Sequence, residues 1–139
     1  AMADLHTHHG DDPTLSLALV DYYILAGDYV GAHRAVDRLD EYTGGDAAVT
    51  NLRSGIALHK GDNAACVRHA RLAIAQDADY ENPYWNLMVA GSRAGDYKAA
   101  MEGVRGLESR FGYELSDDAL AGNEEFAGLL KSEEWGEGI

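Results

Sequence analysis

Cysteine occurs once, as Cys66, and proline twice, as Pro13 and Pro83, in a chain of 139 residues. One cysteine forms no intrachain disulfide. Stability must then come from a buried core, and a domain of about this size buries roughly two-thirds of its unfolded surface, enough to supply one. Basic residues are also scarce: 11 Lys and Arg stand against 24 Asp and Glu, a formal charge of -13. Such a field repels phosphate backbones and anionic lipid surfaces, which excludes nucleic acid as a partner class. No apolar run approaches the ~20 residues that span a bilayer, so membrane insertion is not expected. The start lacks a basic segment followed by an apolar one. With one free thiol and no signal, a cytoplasmic setting is the default expectation, although a signal already removed would leave secretion open. The sixteen glycines include no Gly-x-Gly-x-x-Gly or Gly-x4-Gly-Lys-Ser/Thr run for phosphates. What remains, 46% hydrophobic and 25% charged residues, fits one soluble globular domain.

The chain does contain a repeat. Gly-Asp occurs at Gly27-Asp28, Gly61-Asp62 and Gly95-Asp96, at intervals of 34 residues. Ala32, Cys66 and Ala100 keep that period, as do Val36, Ala70 and Val104, and Leu39, Ala73 and Leu107. Within each unit these positions are four and three residues apart, the spacing that stacks side chains on one helix face. Glycine accepts the left-handed conformation that ends a helix, and aspartate caps the first amides of the next. Each Gly-Asp pair therefore reads as a helix-to-helix corner. Residues 15–26, 49–60 and 83–94 are predicted as helices upstream of the corners, and residues 29–42, 63–76 and 97–111 downstream. Asp12-Pro13 and Asn82-Pro83 place a capping side chain before a proline at the first helical position. Asp46, after Thr43-Gly44-Gly45, is positioned to open the middle pair. No alternating run supports a strand.

The 34-residue period, the Gly-Asp-Tyr corner and Tyr84-Trp85-Asn86-Leu87 together make residues 13–114 resemble the tetratricopeptide repeat family. The slots of the family pattern are filled in the third repeat by Tyr84, Leu87, Met88, Gly91, Ala100, Val104 and Gly112. In the first they are filled by Ser16, Leu19, Val20, Tyr23, Ala32, Val36 and Gly44. The second repeat diverges most, with Thr50, Arg53, Ser54, Ala57, Cys66, Ala70 and Ala78, and it puts Arg53 in a normally apolar slot. The terminal proline of the family pattern is missing from all three. The resemblance implies an all-α, right-handed α-solenoid of antiparallel helix pairs, with repeats at residues 13–46, 47–80 and 81–114.

Residues 115–139 form an acidic C-terminal segment. Ser116-Asp117-Asp118 starts a short predicted helix through Leu120, and Asn123-Glu124-Glu125 another through Phe126, Leu129 and Leu130. A solenoid ends in an element with one apolar and one polar face, which Phe126, Leu130 and Trp135 equip this segment to be. Acidic pairs such as Asp117-Asp118 and Glu133-Glu134 suit helix starts, where the dipole is positive. At the other end, residues 1–12 show no periodicity, and Ala1-Met2-Ala3 reads as a remnant of expression followed by a flexible segment. A start so near the first repeat is also what a piece excised from a longer chain would show.

In the family the first helices line the concave, ligand-binding side. Its groove slots fall on Leu17, Asp21 and Leu25, on Asn51, Gly55 and His59, and on Trp85, Val89 and Arg93. Trp85 is the foremost candidate anchor, since Trp and Arg dominate binding energies. The competing reading is that its indole packs on the groove wall or a neighbouring helix. Asp21 against His59 and Arg93 gives the groove mixed charge. One subtype of the family grips a C-terminal carboxylate with Lys and Arg, but the matching slots here are Leu17, Asp21, Leu52, Asn82 and Asn86. None is basic, and that ligand is not expected.

The remaining polar groups point to no chemistry. His6, His8 and His9 with Asp11 and Asp12 can collect a transition metal incidentally, but their spacing matches no closed site, and no metal or other cofactor is expected. His33 and His69 read as structural or surface histidines, and Cys66, in the small-residue slot, as a buried inert thiol. No nucleophile, base and oxyanion donor converge, so the chain is not expected to be an enzyme. The expected function is a non-catalytic interaction module that binds a peptide or helix of a partner protein. The alternative is a structural module that forms homo-oligomers through its solenoid ends or docks on a neighbouring domain.

Overall fold

The computed structural model describes the backbone of residues 13–137 and the side chains of residues 18–136. The predicted Asp12 cap and the His6, His8 and His9 cluster lie outside these bounds. Six long helices come first: α1 (Pro13–Leu25), α2 (Tyr29–Thr43), α3 (Ala47–Lys60), α4 (Asn63–Gln76), α5 (Asn82–Ala94) and α6 (Tyr97–Phe111). Short elements follow: α7 (Asp117–Leu120), a 3-10 turn (Glu124–Phe126), α8 (Ala127–Lys131) and α9 (Glu133–Glu137). No strand occurs among the described residues.

The three corners share one geometry. Gly27, Gly61 and Gly95 take φ of 73°, 87° and 73°, a region where a side chain is strained. The next residue in each case donates its amide five residues back, Asp28 to Tyr23, Asp62 to Ala57 and Asp96 to Gly91, at 2.8–2.9 Å. That bond satisfies a carbonyl the ending helix leaves open. The same aspartates then cap the following helix: their carboxylates accept the amides of Gly31, Ala65 and Ala99 at 2.9, 3.1 and 3.2 Å. One dipeptide thus ends one helix and starts the next in all three units.

Helices α1 with α2, α3 with α4, and α5 with α6 form antiparallel hairpins. The hairpins stack in sequence order through α2 on α3 and α4 on α5, and α3 also touches α1 and α5. The result is an all-α solenoid of helix pairs. Its core is laid down at the 34-residue step. Ala32, Cys66 and Ala100 are each wholly buried, and the rows of Val36, Ala70 and Val104 and of Leu39, Ala73 and Leu107 are buried beside them. Small residues at the first of these positions let the paired helices approach, and in the first and third pairs larger ones one turn away fill the space.

In the third pair the backbones approach closely. A Cβ at Gly103 would meet the carbonyl oxygen of Tyr84 and, at 2.9 Å, the amide of Met88. Backbone cannot yield there, so only glycine fits. The Tyr84 hydroxyl donates to the carbonyl of Ala78 at 2.7 Å and its ring meets Phe111 edge-on at 5.6 Å.

One predicted cap is corrected. Asn82 is already the first residue of α5; the capping position is Glu81, in right-handed helical conformation and without a side-chain bond to the helix amides. Both side chains have other partners. The Asn82 amide donates to the Tyr80 hydroxyl at 2.9 Å, and the Glu81 carboxylate accepts from Trp85 and Tyr113. Asp46, by contrast, caps α3 as expected, accepting the amides of Ala48 and Val49.

Past Gly112, α7, the 3-10 turn, α8 and α9 fold back on the last hairpin. Leu120, Phe126, Leu129 and Trp135 join Met101, Val104 and Leu107 in one buried cluster, with Leu130 partly buried against it. Ser116 and Asn123 cap their helices, and the Trp135 indole N–H donates to Asp117 at 2.6 Å. The acidic segment therefore covers the apolar face that the third repeat would otherwise expose.

Candidate functional site

Along α1, α3 and α5 the slots named from the repeat pattern are four residues apart, about one helical turn, and so share a face. Asp21 is exposed, Gly55 and Val89 are half-buried, and Val89 also leans on the cluster shared by the last hairpin and the C-terminal segment. Asn51 and Trp85 are half-buried; the side chain of Leu17 lies outside the described residues. Leu25, 89% exposed, and the exposed His59 and Arg93 stand at the last turns of their helices. Gly55 is the opening of this surface, because a Cβ placed there meets nothing within 4 Å.

Trp85 is held from its own side of the molecule. Its indole N–H donates to Oε2 of Glu81 at 2.7 Å, and its ring meets Tyr113 edge-on with centroids 5.2 Å apart. The Tyr113 hydroxyl donates to the same oxygen at 2.9 Å, a bond that raises its pKa. One edge of Trp85 is packed and hydrogen-bonded, and the half-exposed remainder is a rigid apolar surface whose orientation costs a ligand no ordering entropy.

Next to it lies a polar seam that the sequence reading did not foresee. Nδ2 of Asn86 donates to Oδ1 of Asn51 at 3.0 Å and approaches the Ser54 hydroxyl at 3.3 Å. Ser54 in turn donates to the carbonyl of Cys66 at 2.9 Å. The seam ties α3, α4 and α5 together where an apolar joint would leave the register free to slip. Two Asn and a Ser recurring near the same slots were its only trace in the sequence.

The charges of the face are partly spent. Arg93 is ion-paired with Glu125 of the C-terminal segment, so the cation is held at the edge of the surface. Tyr29 reaches from α2 to the carbonyl of His59 at 3.2 Å, bridging the first two corners. Farther round, His33 and His69 have lowered pKa values, first because they are partly buried and then because Arg53 lies near both. Burial raises the Cys66 thiol, against an opposing contribution from Ser54, and so removes the thiolate that reactivity requires. No group of three or more His, Cys, Asp or Glu side chains among the described residues is arranged to hold a metal ion. No helix among them is long and apolar enough to cross a membrane.

No family model matches this chain, and no curated protein matches it.

Proposed function

We propose that this chain is a non-catalytic interaction module of the tetratricopeptide-repeat type, holding an extended peptide or a helix of a partner protein along the face of α1, α3 and α5. The supporting observation is the register of that face. Its slots recur every 34 residues on helices joined by corners of one geometry, and the middle of the surface is open at Gly55. Hairpins that brace one another present such a surface before any ligand arrives. Affinity then follows from a few anchors, here the free part of Trp85, Val89 and the mixed charges of Asp21 and His59, rather than from area. A cytoplasmic setting is the natural companion of this reading for a chain with one free, buried thiol.

Gly55→Trp tests it. The space at Gly55 accepts a side chain without backbone movement, and replacing a helical glycine favours the fold, so the variant should melt no lower than wild type while its indole plugs the groove. Immobilised wild-type protein should retain a partner that the variant loses. Equal capture of every retained protein by both would overturn the groove as the binding surface.

One observation favours a second reading, assembly through the first hairpin. Tyr22 is 46% exposed, whereas its counterparts one and two repeats on, Ile56 and Ala90, are wholly buried by the preceding hairpin. If this edge pairs chains, light scattering will show mass rising with concentration, and Tyr22→Glu will abolish the rise.

A further inference from the structure

The second helix of each of the first two hairpins packs against the long first helix of the next. The second helix of the third hairpin, α6, is covered only by short pieces. Between them a cleft of about 460 Å³ stays open, within the size range of ligand sites. Its floor is apolar: Met101 and Val104 of α6, Leu115 of the connecting segment and the ring of Trp135. Its rim is made of Glu108, Glu114, Asp117 and Asp118, and no lysine or arginine lines it among the described residues. None of these residues lies on α1, α3 or α5, so the cleft is distinct from the groove.

Two rim carboxylates have work inside the fold. Glu108 accepts the Leu115 amide at 3.3 Å and Asp117 accepts the Trp135 indole at 2.6 Å, which fixes the floor residues relative to the rim. Glu114 and Asp118 are exposed and make no ion pair with any described residue. Carboxylates beside apolar walls focus a negative potential into the gap, because field lines crowd where the dielectric is low. The floor excludes a purely hydrated ion as the best occupant, and a single small amine neutralises only one of the four rim charges. A second copy of this chain, itself at -13, does not supply the cations that this acidic rim selects.

We propose that this cleft docks a basic segment of a partner polypeptide, with an aliphatic side chain seated on Leu115 and the accessible edges of Met101 and Trp135 and flanking Lys or Arg residues paired with the rim. The recognition is an apolar contact that gives affinity and a ring of carboxylates that selects sign and speeds encounter. It does not depend on the groove reading, since it uses other residues.

The two tryptophans report on the two surfaces separately. In a ¹⁵N-labelled sample each indole N–H gives its own resonance, and Trp85→Phe identifies which is which. The peptide acetyl-Lys-Leu-Lys-Leu-Lys-amide should shift the Trp135 indole and leave that of Trp85 in place. Acetyl-Glu-Leu-Glu-Leu-Glu-amide should shift neither. Replacing both leucines by glycine should weaken binding, as should Glu114→Gln with Asp118→Asn, by about tenfold at low ionic strength. Raising salt should weaken wild-type binding in the same sense. The proposal is overturned if the Trp135 indole does not move, if the Trp85 indole moves in its stead, if the glycine peptide binds as well, or if the double variant, folded by circular dichroism, binds as tightly as wild type. Should that variant fail to fold, the salt titration of the wild-type protein decides alone, and affinity independent of salt overturns it.

Discussion

Arg53 of α3 sets its guanidinium Nη2 2.8 Å from Oδ1 of Asp37 on α2, across the joint between the first two hairpins. It also reaches Oδ2 of Asp40 at 3.5 Å. This pairing accounts for the one charged residue in a slot whose counterparts, Leu19 and Leu87, are buried. The Arg53 side chain is only 22% exposed, yet its length lets the guanidinium reach the carboxylates.

Arg53→Leu is therefore expected to cost nothing and to raise the melting temperature by a few degrees. Asp37 is 61% exposed and regains water when its partner leaves, so the lost pair is worth less than about 1 kcal/mol. A leucine buried as Leu19 is contributes about 1.5 kcal/mol or more. Thermal unfolding followed by circular dichroism decides. A drop in stability would mean that the ion pair, and not the packing beneath it, holds the first two hairpins together.

Glycine positions within helices separate two kinds of constraint. Gly55→Ala should stabilise by about 0.5–1 kcal/mol, since the methyl enters open space and the unfolded chain loses freedom. Gly103→Ala should destabilise by about 2 kcal/mol or more, because its methyl has to displace the backbone of Tyr84 and Met88. Both sit in helix interiors, so intrinsic propensity predicts the same sign for the two. Chemical denaturation of the pair measures the difference, and similar values would remove close helix approach as the reason for Gly103.

How far the sequence carries the reader follows from this contrast. Corners were legible because Gly-Asp has a local mechanism, and Asp28, Asp62 and Asp96 act in the structure as their chemistry requires. The buried rows were legible because a helix face is periodic. The C-terminal segment was legible through Ser116, Asn123 and Phe126, and through the acidic pair Glu133-Glu134 that opens α9. Contacts between elements were not legible. Nothing local tells Glu81 to hold Trp85 and Tyr113 rather than cap α5, or Asn86 to meet Asn51 35 residues away. The cleft beside Trp135 belongs to the same class, since it exists only where short helices fail to cover a long one.

The two half-buried histidines should make stability depend on pH in a defined window. Partial burial first, then Arg53, lowers the pKa of both; Arg68 and His33 add to the effect at His69, Lys60 adds to it at His33, and Asp62 and Asp37 respectively oppose it. The unfolded chain, with ordinary histidines near pH 6.5, then binds protons before the folded one does as the pH falls. Stability from this source is complete above about pH 6.5 and declines as the pH drops toward the lowered folded values. Melting temperature should therefore fall between about pH 7 and 5 in the wild type, ahead of the titration of most carboxylates. His33→Gln with His69→Gln should flatten that slope, because neutral amides bind no proton in either state. Arg53→Leu should reduce it partly, raising both histidine pKa values, readable by proton NMR, while leaving burial in place. A slope unchanged in the double histidine variant would assign the acid sensitivity to other groups.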